Sequence, residues 1–507
     1  MPQNGSDNEA PTKEKEAHQN DSLPARSLKQ KLVTIKKAVT VEPVVGFYYM
    51  AVYLCKPTLA NLEIEKACRV NLQYNDSICD TIVEGQHKNY SAFNHEIQVT
   101  ISEMHSWQQP VQSVMPLILI LFLGSYSDRH KWRKPFIILP IVGEVLGTVG
   151  CLLCVFNMKT WSLEVQGVLQ KVIPSLFGGQ TMLNMATTAY IADISSIEMR
   201  TIRLGILQIV ISVAGPLVNS FCGILYSKIG YIPILSISSF LFLIALTFSQ
   251  FWIVEKTSSG NKQAVSVIAD IFSPKHAIDT FQVIFKKSPD VNQMHILLMI
   301  LVTFLQRSAY DGETSLLYLY VQNVFQWTPV EFSFFITVNG LVLLIGNSLA
   351  LPLFTKILRI SDHMILFVCI LTKIFSNVAF GLATTSLTFY IGSSVSVITR
   401  MYRVAKKSLS TKIVAEKDIG KFQSVIGICE AIAPALAVPV YNSIYIQTLD
   451  TFPAAVFFFS ILLYAVCSVL VLLMTCLVKR GCEEKGMGVI MNKKSDYDDN
   501  IIETVHL

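Results

Sequence analysis

The stretch "LFLGSYSDRHKWRKPFIIL" (121–139) joins two apolar runs through a turn that carries Asp128, Arg129, Lys131, Arg133 and Lys134. Five charges between segments that avoid water make sense where a chain leaves a bilayer and re-enters it. The whole chain agrees. Of 507 residues, 52% are hydrophobic and 15% charged, against about a quarter charged in an ordinary soluble domain. Mean hydropathy is +0.48. A helical span needs about 20 apolar residues. Runs near that length recur at 43–60, 106–124, 135–156, 163–190, 204–226, 231–253, 293–312, 331–353, 363–385, 387–405, 421–446 and 453–478. They are too long for barrel strands, and only helices or closed barrels satisfy their backbone in lipid. The expected fold is an all-α membrane protein of twelve transmembrane helices.

The net charge of +5 could suggest nucleic acid, but its distribution argues for topology instead. Basic residues gather in alternate loops: Lys29–Lys37, Arg129–Lys134, Arg200 with Arg203, Lys275–Lys287, Lys356–Arg359, Arg400–Lys421 and Lys479–Lys494. The short loops between hold almost none, Lys159 and Lys228 excepted. By the positive-inside rule, the basic loops and both termini are cytosolic. The long first loop, 61–105, then falls outside, where its two N-x-S sequons at Asn75 and Asn89 can be glycosylated. Of eleven cysteines, only Cys68 and Cys79 occupy that loop; a bridge between them is the economical reading, free thiols or a more distant pairing the alternative. Cys151 and Cys154 form a C-x-x-C inside an apolar span, which reads as small packing residues.

The spans divide six and six. The expected organisation is a disordered cytosolic tail (1–41), a six-helix lobe (42–253), a cytosolic linker (254–292), a second six-helix lobe (293–478) and a cytosolic tail (479–507). In the linker, "AIDTFQVIFKK" (277–287) puts Ile278, Phe281, Ile284 and Phe285 on one helical face, suited either to the membrane surface or to the ends of the spans. "GSYSDRHKWRK" resembles the signature turn between the second and third helices of the major facilitator superfamily. Gly124, Asp128, Arg129, Arg133 and Lys134 match when one residue is inserted; Lys131 and Trp132 stand where that motif has its second glycine. The resemblance implies two lobes with the substrate site between them at the midplane. In such a turn Asp128 can cap a helix of the opposite lobe. Arg133 can pair with Asp193, and such bonds would latch the cytosolic side.

"GGQTMLNMATTAYIADISSIEMRTIRLGILQIVISVAG" (178–215) and "IGKFQSVIGICEAIAPALAVPVYNSIYIQTLDTFP" (419–453) are similar to solute carrier family 46, which includes the proton-coupled folate transporter and carriers of other organic anions. In this fold the first, fourth, seventh and tenth helices line the cavity. That makes Lys171, Arg307 and Arg400 inward candidates for an anionic substrate. Tyr49 and Tyr53, with Tyr48 beside them, could stack on a flat ring or sit at helix contacts, and Asn184 joins the set from the fourth span. Ionisable groups inside spans are functional candidates by default. Arg307 and Asp311 lie four apart and can pair as a gate. Arg403 and Lys407 have the reach to snorkel to the cytosol.

His295 matches the folate branch's histidine at the start of the seventh helix, and Lys171 stands where that branch has an arginine. Gly179 replaces an aspartate of the branch, and Gln208 replaces its proton-coupling glutamate. Glutamine cannot titrate, so Glu430 in the eleventh span is the expected coupling group, with a salt bridge to Lys373 or Arg400 as the alternative and His295 second. The folate branch's cysteine in the loop after the seventh helix has no counterpart in "VQNVFQWTP" (321–329).

No P-loop or metal-ligand cluster appears, so neither an ATP-driven pump nor a cofactor enzyme is expected. The expected activity is secondary active transport of small organic anions (folate-like, muramyl-peptide-like or related conjugates), with protons as a second partner. A non-transporting receptor or regulator with the same fold is the alternative. The membrane is the plasma membrane or, given the loosely di-leucine-like "DYDDNII" (496–502), an endolysosomal one.

Overall fold

The computed structural model describes residues 40–85, 90–130, 132–195, 197–254, 293–358, 360–399, 401–414 and 419–477. The sequon at Asn89, the linker helix at 277–287, Arg400, both tails and the side chain of Asp128 lie outside the described residues. Sixteen helices are described: α1 Glu42–Lys66, α2 Asp76–Val83, α3 Ser91–His130, α4 Lys134–Phe156, α5 Leu163–Gly167, α6 Ile173–Leu176, α7 Gly179–Ile194, α8 Ile197–Ile229, α9 Tyr231–Trp252, α10 Gln293–Phe325, α11 Pro329–Pro352, α12 Asp362–Gly381, α13 Ser386–Val395, α14 Met401–Ile413, α15 Ile419–Thr448 and α16 Ala455–Leu477. They occupy the twelve apolar runs, six before 255–292 and six after. Seven are by themselves long and apolar enough to cross a membrane among the described residues. The rest are shorter or more polar.

The fourth span and the tenth are broken, and each is the fourth of its half. The fourth runs α5, a wide π-type turn over Val168–Val172, then α6, and breaks at Phe177–Gly178 before α7. Gly178 and Gly179 both take left-handed backbone angles, φ 94° and 52°, which a side chain strains. The tenth span breaks between α13 and α14 over Ser396–Thr399.

The segment 61–105, expected as loop, is largely helical, since α1 runs on to Lys66 and α3 begins at Ser91. The extension holds because its polar groups are satisfied. Asn61 donates to the Tyr226 hydroxyl at 2.7 Å, Glu63 meets His105 at 3.1 Å, and the Lys66 ammonium donates to the Asn157 and Met158 carbonyls at 2.7 and 3.0 Å. The remaining loop is stapled by a Cys68–Cys79 disulfide. Arg69 pairs with Glu65, Asp76 and Asp80, and Lys159 reaches Asp76 at 2.8 Å. The Lys159 and Arg69 hydrogen bonds hold the Asp76 carboxyl below the usual aspartate range. Asn75 is exposed and caps α2 by accepting from the Ser77 backbone N–H at 3.2 Å.

Alternate helix ends meet at two opposite faces, called the loop end (bearing 67–85) and the basic end (bearing 132–133). At the loop end a shared core unites residues of both halves, from Ile64, Ile101 and Met104 to Tyr320, Phe389 and Tyr445. At the basic end each half has its own core: Val45, Tyr48, Ile141 and Phe242 in one, Met299, Ile370, Tyr402 and Phe422 in the other. Polar contacts between the halves cluster at the loop end too. Asn94 donates to Asn323 at 2.9 Å, Tyr318 to Asn61 at 3.2 Å, Gln98 hydrogen-bonds Gln322, and His95 meets Asp450 at 2.7 Å. The lobes are thus joined at one end and packed separately at the other.

Candidate functional site

On α1, Tyr49, Tyr53 and Lys56 fall on one helical stripe, four and three residues apart. Tyr49 is 2% exposed, and its hydroxyl is engaged twice, donating to Asn184 Oδ1 at 2.9 Å and accepting from Gln180 Nε2 at 2.8 Å. Its ring lies 6.1 Å from that of Tyr53, which is backed by Gly215 of α8. Tyr48 points the other way, into the lobe, and donates to Glu144 Oε1 at 2.9 Å. In this conformation Tyr49 ties the first span to the fourth, while Tyr53 keeps an accessible face.

Sequence reasoning passed over Lys56. Its side chain lies deep among protein atoms yet stays open to solvent, the arrangement of a group lining an internal wet space. Lys171 is within electrostatic reach, projecting from the Val168–Val172 turn. Glu144 of α4 is within reach of Lys171 in turn. Among the described residues, neither lysine has a hydrogen-bond or ion-pair partner. The one available signal was a lysine in the middle of an apolar run, "YLCKPTL" (53–59).

The wide turn exists because α4 presents glycine to it. A methyl added at Gly147 would lie 2.8 Å from the Leu169 carbonyl oxygen and from Pro174 Cγ. One at Gly143 would lie 2.7 Å from Phe177 Cβ, and one at Gly150 would lie 2.8 Å from Leu169 Cδ2. Small residues at one helical face let backbones approach in this way.

The second lobe treats its charges differently. Arg307 Nε meets Asp311 Oδ2 at 2.5 Å within α10. Lys373 of α12 meets Glu313 at 2.7 Å, and Asn377 donates to the other Glu313 oxygen at 2.5 Å. Lys406 of α14 pairs with Glu430 of α15. Glu430 therefore takes neither Lys373 nor, among the described residues, any arginine; it lies within electrostatic reach of Asp311. His295 is apart from this set, buried against the Met474 carbonyl at 3.1 Å. Arg403 is exposed and close enough to Tyr49 of the first lobe for an electrostatic interaction, so it faces the lobe boundary. Arg133 and Asp193 pair at 2.8 Å within the first lobe, at the basic end.

Cations of the second lobe at 307, 373 and 406 are thus each neutralised, whereas the first lobe sets two ammonium groups against one carboxylate. That surplus positive charge stands where the fourth span is broken, the position at which two-lobed carriers build their sites.

Comparison with known proteins agrees. The Major Facilitator Superfamily model matches residues 90–438. The chain is 22% identical over 433 residues to a probable peptidoglycan muropeptide transporter, SLC46, of Drosophila melanogaster, covering 84% of this chain and 83% of that one. It is 23% identical over 435 residues to the lysosomal proton-coupled steroid conjugate and bile acid symporter SLC46A3 of Gallus gallus, covering 84% and 91%. With the proton-coupled folate transporter of Bos taurus it shares 22% over 336 residues, covering 65% and 69%. Among solved structures, the fold resembles the human organic anion transporter MFSD10, with a TM-score of 0.57 at 15% identity over 86% of this chain and 99% of that one.

Proposed function

Because this chain belongs to the Major Facilitator Superfamily and is a solute transporter akin to solute carrier family 46, we propose that it carries small organic anions across its membrane by alternating access. The observation that carries this reading is the division of the cores: shared at the loop end, separate at the basic end. A carrier closed at one face and parted at the other has this build. The anionic class rests on the unneutralised lysines of the first lobe. Relatives named for muropeptides, steroid conjugates, bile acids and folate all handle molecules with acid groups.

In this reading Lys171, Tyr53, Asn184, Arg307 and Arg400 serve the substrate, with Tyr49 holding Asn184 in place. Glu430 carries the coupled proton, with His295 as the second candidate. Asp128, the Arg133–Asp193 pair and Asp311 govern closure. The loop end faces outward or into an acidic lumen, with Asn75 and Asn89 glycosylated, and both termini are cytosolic. The membrane is plasma or endolysosomal.

The test is uptake by purified protein in proteoliposomes, using labelled steroid sulfate, muramyl dipeptide and folate, with and without a pH gradient. Saturable uptake of at least one anion, faster down a proton gradient, is the expected result. Uptake of none of them, by protein shown to be folded, rejects the reading.

A further inference from the structure

We propose that Lys56 and Lys171 clamp one singly charged acid group of the transported anion, and that Glu144 completes a set which is electrically neutral only when the anion is bound. The proposal rests on the transport reading above and names the chemistry of its site.

Three elements converge here. α1 supplies Lys56 at the end of the Tyr49–Tyr53 stripe, and the wide Val168–Val172 turn supplies Lys171. α4 supplies Glu144, fixed by the Tyr48 hydroxyl at 2.9 Å, and the glycine face that lets the turn sit so close. Lys171 is within reach of Lys56 on one side and of Glu144 on the other, so two ammonium groups against one carboxylate leave one positive charge uncompensated. Like charges held together in a partly wet cleft repel more strongly than in bulk water, and a bound anion relieves that repulsion. In the second lobe the buried lysines have their carboxylates: Lys373 has Glu313 and Lys406 has Glu430. Here the count is short by one negative charge, and here Lys56 is reachable by solvent.

The balance names the ligand class. A carboxylate, sulfonate or sulfate ester brings the set to neutrality; a phosphate monoester, carrying about −1.5 to −2 at neutral pH, overshoots it. The body of the ligand extends along α1 towards Tyr53, whose ring, backed by Gly215, offers an aromatic face. Tyr49 is closed off by Asn184 and Gln180.

The experiment uses the full-length chain in proteoliposomes with labelled estrone sulfate as probe and estrone phosphate as matched competitor. Wild-type protein is expected to take up the sulfate and to be inhibited less by the phosphate than by unlabelled sulfate. Lys56→Gln and Lys171→Gln should each raise the half-saturation concentration about thirtyfold, the loss of one of two partners of a desolvated anion, while Lys56→Arg keeps most of the affinity. Glu144→Gln removes the internal counter-charge and should invert the ranking, so that the phosphate competes better than the sulfate.

Unchanged half-saturation in both lysine variants overturns the clamp and leaves the transport reading standing. Wild-type protein that carries folate or muramyl dipeptide but not the sulfate also overturns the clamp alone; no uptake of any anion overturns both. Should the lysine variants fail to fold, Glu144→Gln decides, and an unaltered ranking of sulfate over phosphate rejects the proposal.

Discussion

Glu313 and Lys373 meet at 2.7 Å with side chains only 7% and 13% exposed, and Asn377 satisfies the second carboxylate oxygen. A buried pair of this kind adds little against a well-packed apolar pair, but removing one partner strands a charge. Glu313→Leu should therefore destabilise the purified protein by about 3–5 kcal/mol, and adding Lys373→Met should recover most of that loss. Denaturation of the two variants in detergent checks it; equal loss in single and double variants would show that packing, not charge, is at stake. Glu430 stands differently, more open at 37% and paired with Lys406. A carboxyl that carries a coupled proton must be neutral on one crossing and charged on the other. Glu430→Gln fixes the neutral-like state, so accumulation driven by a pH gradient should vanish while substrate exchange persists. Gradient-driven accumulation at the wild-type level removes Glu430 from the mechanism. Local spacing made Arg307 and Asp311 legible in the sequence, because four residues on a helix carry their own pairing rule. Glu313 was not legible: its partner is sixty residues away on another helix, and nothing in either segment points to the other.

The apolar runs located the spans because hydropathy follows lipid contact, but they misjudged ends and breaks. α1 was expected to stop near residue 60, yet Asn61, Glu63 and Lys66 extend it because later segments supply their partners. The break in the fourth span was written in Gly178–Gly179, whereas the wide turn before it depends on Gly143, Gly147 and Gly150 of a different helix. The loop after α1 has a pH signature of its own. Asp76, held down by Lys159 and Arg69, has a lower pKa folded than unfolded. Its contribution to stability is therefore full above the unfolded value, about 3.9, and is lost only as pH falls through the lowered folded value. The difference in melting temperature between wild type and Asp76→Asn should accordingly be the same at pH 7 and pH 5 and disappear only in stronger acid. A difference already gone at pH 5 would mean the clasp does not hold Asp76 ionised. On this account the clasp survives at pH 5.

Joined cores at the loop end and separate cores at the basic end make the polar seam between the lobes the part that must come apart in a transport cycle. Asn94 and Asn323 face each other across it at 2.9 Å. Cysteines at both positions, tied by a short bifunctional thiol reagent, should stop substrate exchange, and a reagent cleavable by reductant should restore it. Exchange that continues through the tether would place the moving seam elsewhere. The same sharing of polar groups between distant helices bears on how the chain is made. α10 leaves the ribosome with Glu313 before α12 has been synthesised, and α1 emerges with Lys66 before the carbonyls of Asn157 and Met158 exist. A lone charge well inside a helix, as Glu313 is in α10, costs about 2.5–3.5 kcal/mol during insertion, while Lys66 stands at the very end of α1. Glu313 and Lys373 are therefore expected to favour insertion of α10 and α12 as a group rather than singly in order of synthesis.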